Sequence, residues 1–77
     1  MSIKVRYFAS LREQLGCAEQ QLDGLASVTI ADVWRYANPE LPLPDNLLSA
    51  VNQEYAPMQQ LVYDGDEVAF FPPVTGG

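Results

Sequence analysis

The two segments richest in β-forming residues stand at opposite ends of the chain. Ile3, Val5 and Tyr7 alternate with Ser2, Lys4 and Arg6, the two-residue period of a strand buried on one face. Near the other end, Val68-Ala69-Phe70-Phe71 runs straight into Pro72-Pro73, where two missing backbone donors end any sheet ladder. These two strands are expected side by side in the middle of a mixed sheet, with a helix from the intervening sequence across one face. Along residues 68–71 the alternation sends Val68 and Phe70 one way and Ala69 and Phe71 the other. The first pair is assigned to the core. Phe71, with Phe8 and Tyr55, then forms an exposed apolar patch, and such a patch on a small acidic domain marks a protein interface.

The intervening sequence supplies the remaining elements. Ser10-Leu11-Arg12-Glu13 has the capping-box spacing, and a short helix should follow until Gly16 stops it. Residues 18–22 read as a second strand, Asp23-Gly24 as a turn, and residues 25–28 as a returning strand. Ile30, Val33, Trp34 and Ala37 fall on one helical stripe facing the sheet, opened by Thr29 and closed before Pro39. That stripe makes Trp34 a packing residue rather than a ligand platform. Pro39, Pro42 and Pro44 make residues 39–45 a loop. Residues 47–51 read as a strand closed by Asn52-Gln53, and Asp64-Gly65 as a turn with a solvated acidic face. Calcium-loop ligand spacing is absent there. The expected class is α+β, a single domain over residues 1–77 with residues 71–77 as an extended tail.

Composition narrows the chemistry. The 77 residues hold no histidine and one cysteine, Cys17. No internal disulfide can form, which fits a reducing, cytoplasmic setting. A zinc site of the usual kind and a histidine-activated nucleophile are both excluded. Cys17 has no lysine or histidine beside it to favour a thiolate, so it reads as a packing residue rather than a persulfide carrier. A net charge of −6 with only Lys4, Arg6, Arg12 and Arg35 as basic residues argues against nucleic acid. No leader-like segment or bilayer-length apolar run is present, so no membrane partner is expected.

The last residues are read as the working end. Residues 72–77 extend about 20 Å when straight. Pro72 and Pro73 stiffen the root, and Gly76-Gly77 let pocket walls approach the backbone closely because no Cβ intervenes. Such a flexible stalk can carry its carboxylate into a deep site on another protein. A carboxylate must be activated before a nucleophile will attack it, and AMP from ATP supplies a leaving group. Sulfur would then give a thiocarboxylate, an amine an isopeptide bond. Both outcomes are open on these residues, and the tail itself holds no catalytic group.

Val51-Asn52-Gln53, Leu61 and the unbroken run from Asp64 to Gly77, together with Ile3-Lys4-Val5-Arg6-Tyr7-Phe8-Ala9 and Leu11-Arg12-Glu13, resemble the small subunit of molybdopterin synthase. The resemblance covers the whole length. It implies a ubiquitin-like β-grasp fold with one main helix across a mixed sheet and a short extra helix. It also implies a sulfur carrier of molybdenum cofactor biosynthesis that is not an enzyme on its own. Gly77 would be adenylated by an E1-like partner that uses ATP, then converted to a thiocarboxylate, with no cofactor or metal held stably. Val74, Thr75 and Gly76 would enter the large synthase subunit with it and deliver sulfur to a pterin precursor, precursor Z. Two small and two large subunits would form a heterotetramer. Phe8, Phe71, Pro72 and Pro73 match partner-facing positions, and Tyr55 stands where the family often has leucine. A carrier for thiamine thiazole synthesis and a ubiquitin-like protein modifier are the alternatives.

Overall fold

The computed structural model describes residues 2–25 and 27–72. Strand β1, Ser2–Tyr7, buries Ile3, Val5 and Tyr7 and turns Lys4 and Arg6 outward. Strand β7, Glu67–Phe71, lies parallel beside it, Val5 opposite Val68 and Tyr7 opposite Phe70. The two ends of the sequence therefore meet in the interior of one sheet. On the far side of β1, strand β2, Glu19–Asp23, pairs antiparallel. On the far side of β7 come β4, Leu48–Val51, and β5, Glu54–Tyr55, both antiparallel to their neighbours. The order β2-β1-β7-β4-β5 gives a mixed five-stranded sheet. It is a β-grasp: helix α2, Ile30–Ala37, packs across one face, and the six-residue helix α1, Ser10–Leu15, follows β1.

The α2 stripe is buried as its period requires, with Ile30, Val33 and Trp34 set against Ile3, Val5, Tyr7, Val68 and Phe70. Burying side chains of this size is worth about 1.5–3 kcal/mol each. Trp34 meets Phe70 edge-on at 5.2 Å between centroids and Tyr7 edge-on at 6.2 Å, the geometry aromatic quadrupoles favour. Its indole N–H donates to the Leu41 carbonyl at 3.3 Å, tying loop 39–45 to the helix. The Tyr7 hydroxyl donates to Gln20 Oε1 at 2.7 Å and accepts from Asn38 Nδ2 at 3.0 Å. Burial pushes the Tyr7 pKa up, opposed by the Asn38 bond. No buried side-chain nitrogen or oxygen among the described residues lacks a partner.

Thr29 caps α2. Its Oγ1 accepts from the Asp32 N–H at 3.1 Å and the Asp32 carboxylate accepts from the Thr29 N–H at 3.3 Å. The next free donors of that helix end go to backbone, Ile30 N–H to the Gln60 carbonyl and Ala31 N–H to Met58. The donors of Thr29, Ile30, Ala31 and Asp32, which a helix start leaves without intrahelical partners, are thus shared between two side chains and the loop before β6, Leu61–Val62.

Two local expectations are corrected, and one strand is added. Ser10 is not a cap: Ala9 occupies that position and makes no side-chain cap bond. The turn Phe8-Ala9-Ser10-Leu11 closes through its own backbone, Leu11 N–H to the Phe8 carbonyl at 3.2 Å, and Ser10 is already the first helical residue. Residues 25–28 do not return along β2. Only β3, Val28–Thr29, is extended there, and it pairs with β6 in a separate two-stranded sheet. Finally, β5 follows a two-residue turn in which Asn52 and Gln53 both take positive φ, 50° and 72°; Glu54 and Tyr55 gave no strand period to read. The stop at Gly16 stands, with φ 73° in the left-handed region.

Candidate partner-binding face

Residues directly opposite one another on paired strands share a face. The face away from α2 therefore carries Lys4 and Arg6 from β1, Glu67, Ala69 and Phe71 from β7, Leu48 and Ala50 from β4, and Tyr55 from β5. Phe8, one residue beyond β1, continues the same alternation. Its N–H donates to the Phe70 carbonyl at 3.2 Å, which holds it beside the end of β7.

The three aromatic residues assigned to a patch are together. Phe8 and Phe71 stack at 4.9 Å with 10° between their planes, and Tyr55 lies 5.9 Å from Phe71 at a 50° tilt. Tyr55 is 77% exposed, whereas Phe8 and Phe71 are half-buried, chiefly in one another. The rings form a platform one layer deep, backed by the sheet rather than by the core. Val68 and Phe70 are fully buried on the other side, as the alternation required.

Below the platform lies a shallow hollow of about 310 Å³. Its floor is Ala50 and Ala69, small side chains between large ones, and its far wall is Arg6, Gln53 and Glu67. The Arg6 guanidinium carbon sits 5.2 Å from the Phe8 ring centroid, within the range of a cation–π contact. Arg6 was not among the expected site residues. Its place two positions before Phe8 on an alternating strand was the available signal.

Pro72, half-buried, follows Phe71 out of the sheet. The expectations for Pro73, Val74, Thr75, Gly76 and Gly77 concern residues outside those described. Cys17 is half-buried against the edge of the core. Among the described residues no helix is long and apolar enough to cross a membrane, and no group of three or more histidine, cysteine, aspartate or glutamate side chains is gathered as a metal site.

A β-grasp sheet with an aromatic platform on its open face, next to the end of the central strand β7, defines a ubiquitin-like architecture. The profile of the ThiS family matches residues 5–77. The molybdopterin synthase sulfur carrier subunit of Escherichia coli is 42% identical, over 97% of this chain and 99% of that protein. Its counterpart from Haemophilus influenzae is 38% identical over the same shares. Among solved structures, small archaeal modifier protein 1 of H. volcanii superposes with a TM-score of 0.77 at 28% identity, over 95% of this chain and 98% of that one. The chain belongs to the ThiS family of ubiquitin-like sulfur carriers.

Proposed function

We propose that the protein is the sulfur-carrier subunit of a molybdopterin synthase and works in molybdenum cofactor biosynthesis. The observation that carries this is the near full-length identity with molybdopterin synthase carriers, combined with a family match that extends through Gly76-Gly77. The protein is not an enzyme on its own. Its contribution is to hold sulfur on a tether and deliver it, which turns a bimolecular encounter into a positioned one.

In this reading the Gly77 carboxylate attacks the α-phosphorus of ATP on an E1-like partner, and pyrophosphate leaves. A donor at the oxidation level of sulfide then attacks the acyl carbon. AMP leaves, and the thiocarboxylate forms with loss of a proton. Residues 74–76 carry that sulfur into the large synthase subunit, where it attacks a carbon of the pterin precursor and displaces an oxygen leaving group; water then cleaves the acyl carbon–sulfur bond, leaving the sulfur on the pterin and returning the Gly77 carboxylate. Pro72 and Pro73 set the direction of the stalk, and Phe8, Tyr55 and Phe71 dock the body of the carrier. The single cysteine supports a reducing, cytoplasmic site of action.

Intact-mass measurement tests it. After incubation with ATP, the activating enzyme and a sulfur donor, the protein should gain the difference between sulfur and oxygen, located at Gly77. A chain lacking Gly77 should gain nothing. Unchanged mass with an activator that loads another carrier sinks the reading. The likeness to an archaeal modifier protein supports a second reading, conjugation of Gly77 to lysine amines. That reading predicts isopeptide adducts instead of a thiocarboxylate end product.

A further inference from the structure

We infer that the hollow beside the aromatic platform reads an acidic side chain of the docking partner through Arg6. The inference rests on the carrier reading above and names one recognition element of that interface. Its basis is the placement of charge. The chain carries a net charge of −6 and four basic residues, and two of these, Lys4 and Arg6, lie on the open face. Lys4 Nζ stands 3.9 Å from Glu19 on the neighbouring strand, paired as loosely as Arg6 is. What sets Arg6 apart is its place on the wall of the hollow and beside the Phe8 ring. One of its Nη atoms approaches Glu67 at 3.8 Å, an ion-pair distance too long for a hydrogen bond. Among the described residues its guanidinium makes no hydrogen bond, while Phe8 supports it from below.

A guanidinium held over a ring, with its fork of donors unused, matches a planar carboxylate. The floor next to it is apolar, Ala50 and Ala69 being almost fully covered by their neighbours. The occupant is therefore a partner segment that lays an apolar side chain on the two alanines and presents a carboxylate to Arg6. A polyphosphate or nucleic acid is a poor fit, because Glu67 stands beside Arg6 and the whole body is acidic. A partner with only apolar residues here would strip water from Arg6 without replacing it, which disfavours the complex. The cationic spot thus selects partners and sets their register on an otherwise acidic domain.

Calorimetric titration of the large synthase subunit from the same cells, at low and high salt, tests this with wild type, Arg6→Gln, Arg6→Lys and Arg6→Glu. Arg6→Gln should bind about tenfold more weakly, and Arg6→Glu more weakly still. Arg6→Lys should recover part of the loss. The salt dependence seen with wild type should shrink in Arg6→Gln, and an acidic-to-arginine change at one position of the large subunit should restore Arg6→Glu. Circular dichroism should show all variants folded. Wild-type binding together with an unchanged Arg6→Glu affinity overturns the inference and leaves the carrier reading intact. So does an Arg6→Gln loss with unaltered salt dependence, since Arg6 would then serve only as packing on Phe8. Failure of wild type to bind the large subunit removes both.

Discussion

Asn52 and Asp66 are joined across the turn ends of two neighbouring strands: Asn52 Nδ2 donates to Asp66 Oδ1 at 3.1 Å. The same side chain accepts the Glu67 N–H on its Oδ1 at 3.0 Å, and the Asn52 N–H donates to the Glu67 carbonyl at 2.8 Å. The other Asp66 oxygen accepts the Tyr63 N–H at 2.8 Å. One amide thus fixes where β7 begins against β4. A strand that slips by one residue exchanges its two faces, so this clamp decides whether Phe71 joins the platform and Phe70 the core.

Two substitutions separate the backbone and side-chain roles of Asn52. Asn52→Ala loses both side-chain bonds and places alanine at a φ of 50°, at an expected cost of about 1–3 kcal/mol. Asn52→Gly loses the bonds but accepts the backbone, and should cost less. Urea unfolding measures both. Midpoints equal to wild type in the pair would remove the clamp from the account.

Ala9 sits at φ 54° and ψ −132°, just after Phe8, in a conformation that glycine adopts far more readily. Ala9→Gly should therefore stabilise the protein by about 0.5–1 kcal/mol despite the greater freedom of the unfolded chain. Thermal melting checks the sign. A lower midpoint would mean that the turn holds no strain.

Phe70 and Phe71 are neighbours with opposite roles. Phe70→Ala empties a site between Tyr7 and Trp34 and should cost about 3–5 kcal/mol, enough to unfold much of a domain this small. Phe71→Ala removes a half-buried ring from the open face. It should leave a cooperative fold and weaken binding of the large subunit by about tenfold or more. Equal destabilisation by the two would place Phe71 in the core after all.

The α2 cap carries a pH signature. Hydrogen bonds with Thr29, and to a lesser degree the Arg35 guanidinium at 3.2 Å, hold the Asp32 carboxyl below its usual value of 3.8. A carboxyl whose pKa is lower folded than unfolded stabilises the fold above the unfolded value, and that stability fades as pH falls through the folded one. Asp32→Asn should accordingly lower the melting midpoint at about pH 6 and cost less at about pH 2.5. Thr29→Ala should cost about 1 kcal/mol at the higher pH. A pH-independent difference between wild type and Asp32→Asn would contradict the assigned cause.

The elements that could be read in advance are those whose signal is local. Alternation in β1 and β7 sorted their side chains into two faces, and the α2 stripe with its Thr29 start named the helix and Trp34 as core. Tyr55 and β5 are different. Two residues carry no period, and their extended state follows from the Asn52-Gln53 turn and the presence of β4 to pair with. The same holds for β3, whose partner β6 is more than thirty residues away in the chain and cannot be chosen from composition. At Ser10 a side-chain motif was present, but the helix begins one residue earlier than the motif requires, with Ala9 at the cap position and Ser10 already helical.

Periodicity by itself determined that Val68 and Phe70 share one face and Ala69 and Phe71 the other, because successive side chains of a strand point to opposite sides. Only the tertiary structure decided that Arg6, Phe8, Phe71 and Tyr55 form one surface. Their convergence depends on the parallel pairing of β1 with β7 and on the hairpin of β4 and β5 beside it, and long-range pairing is a property of the closed sheet that no short stretch of sequence contains.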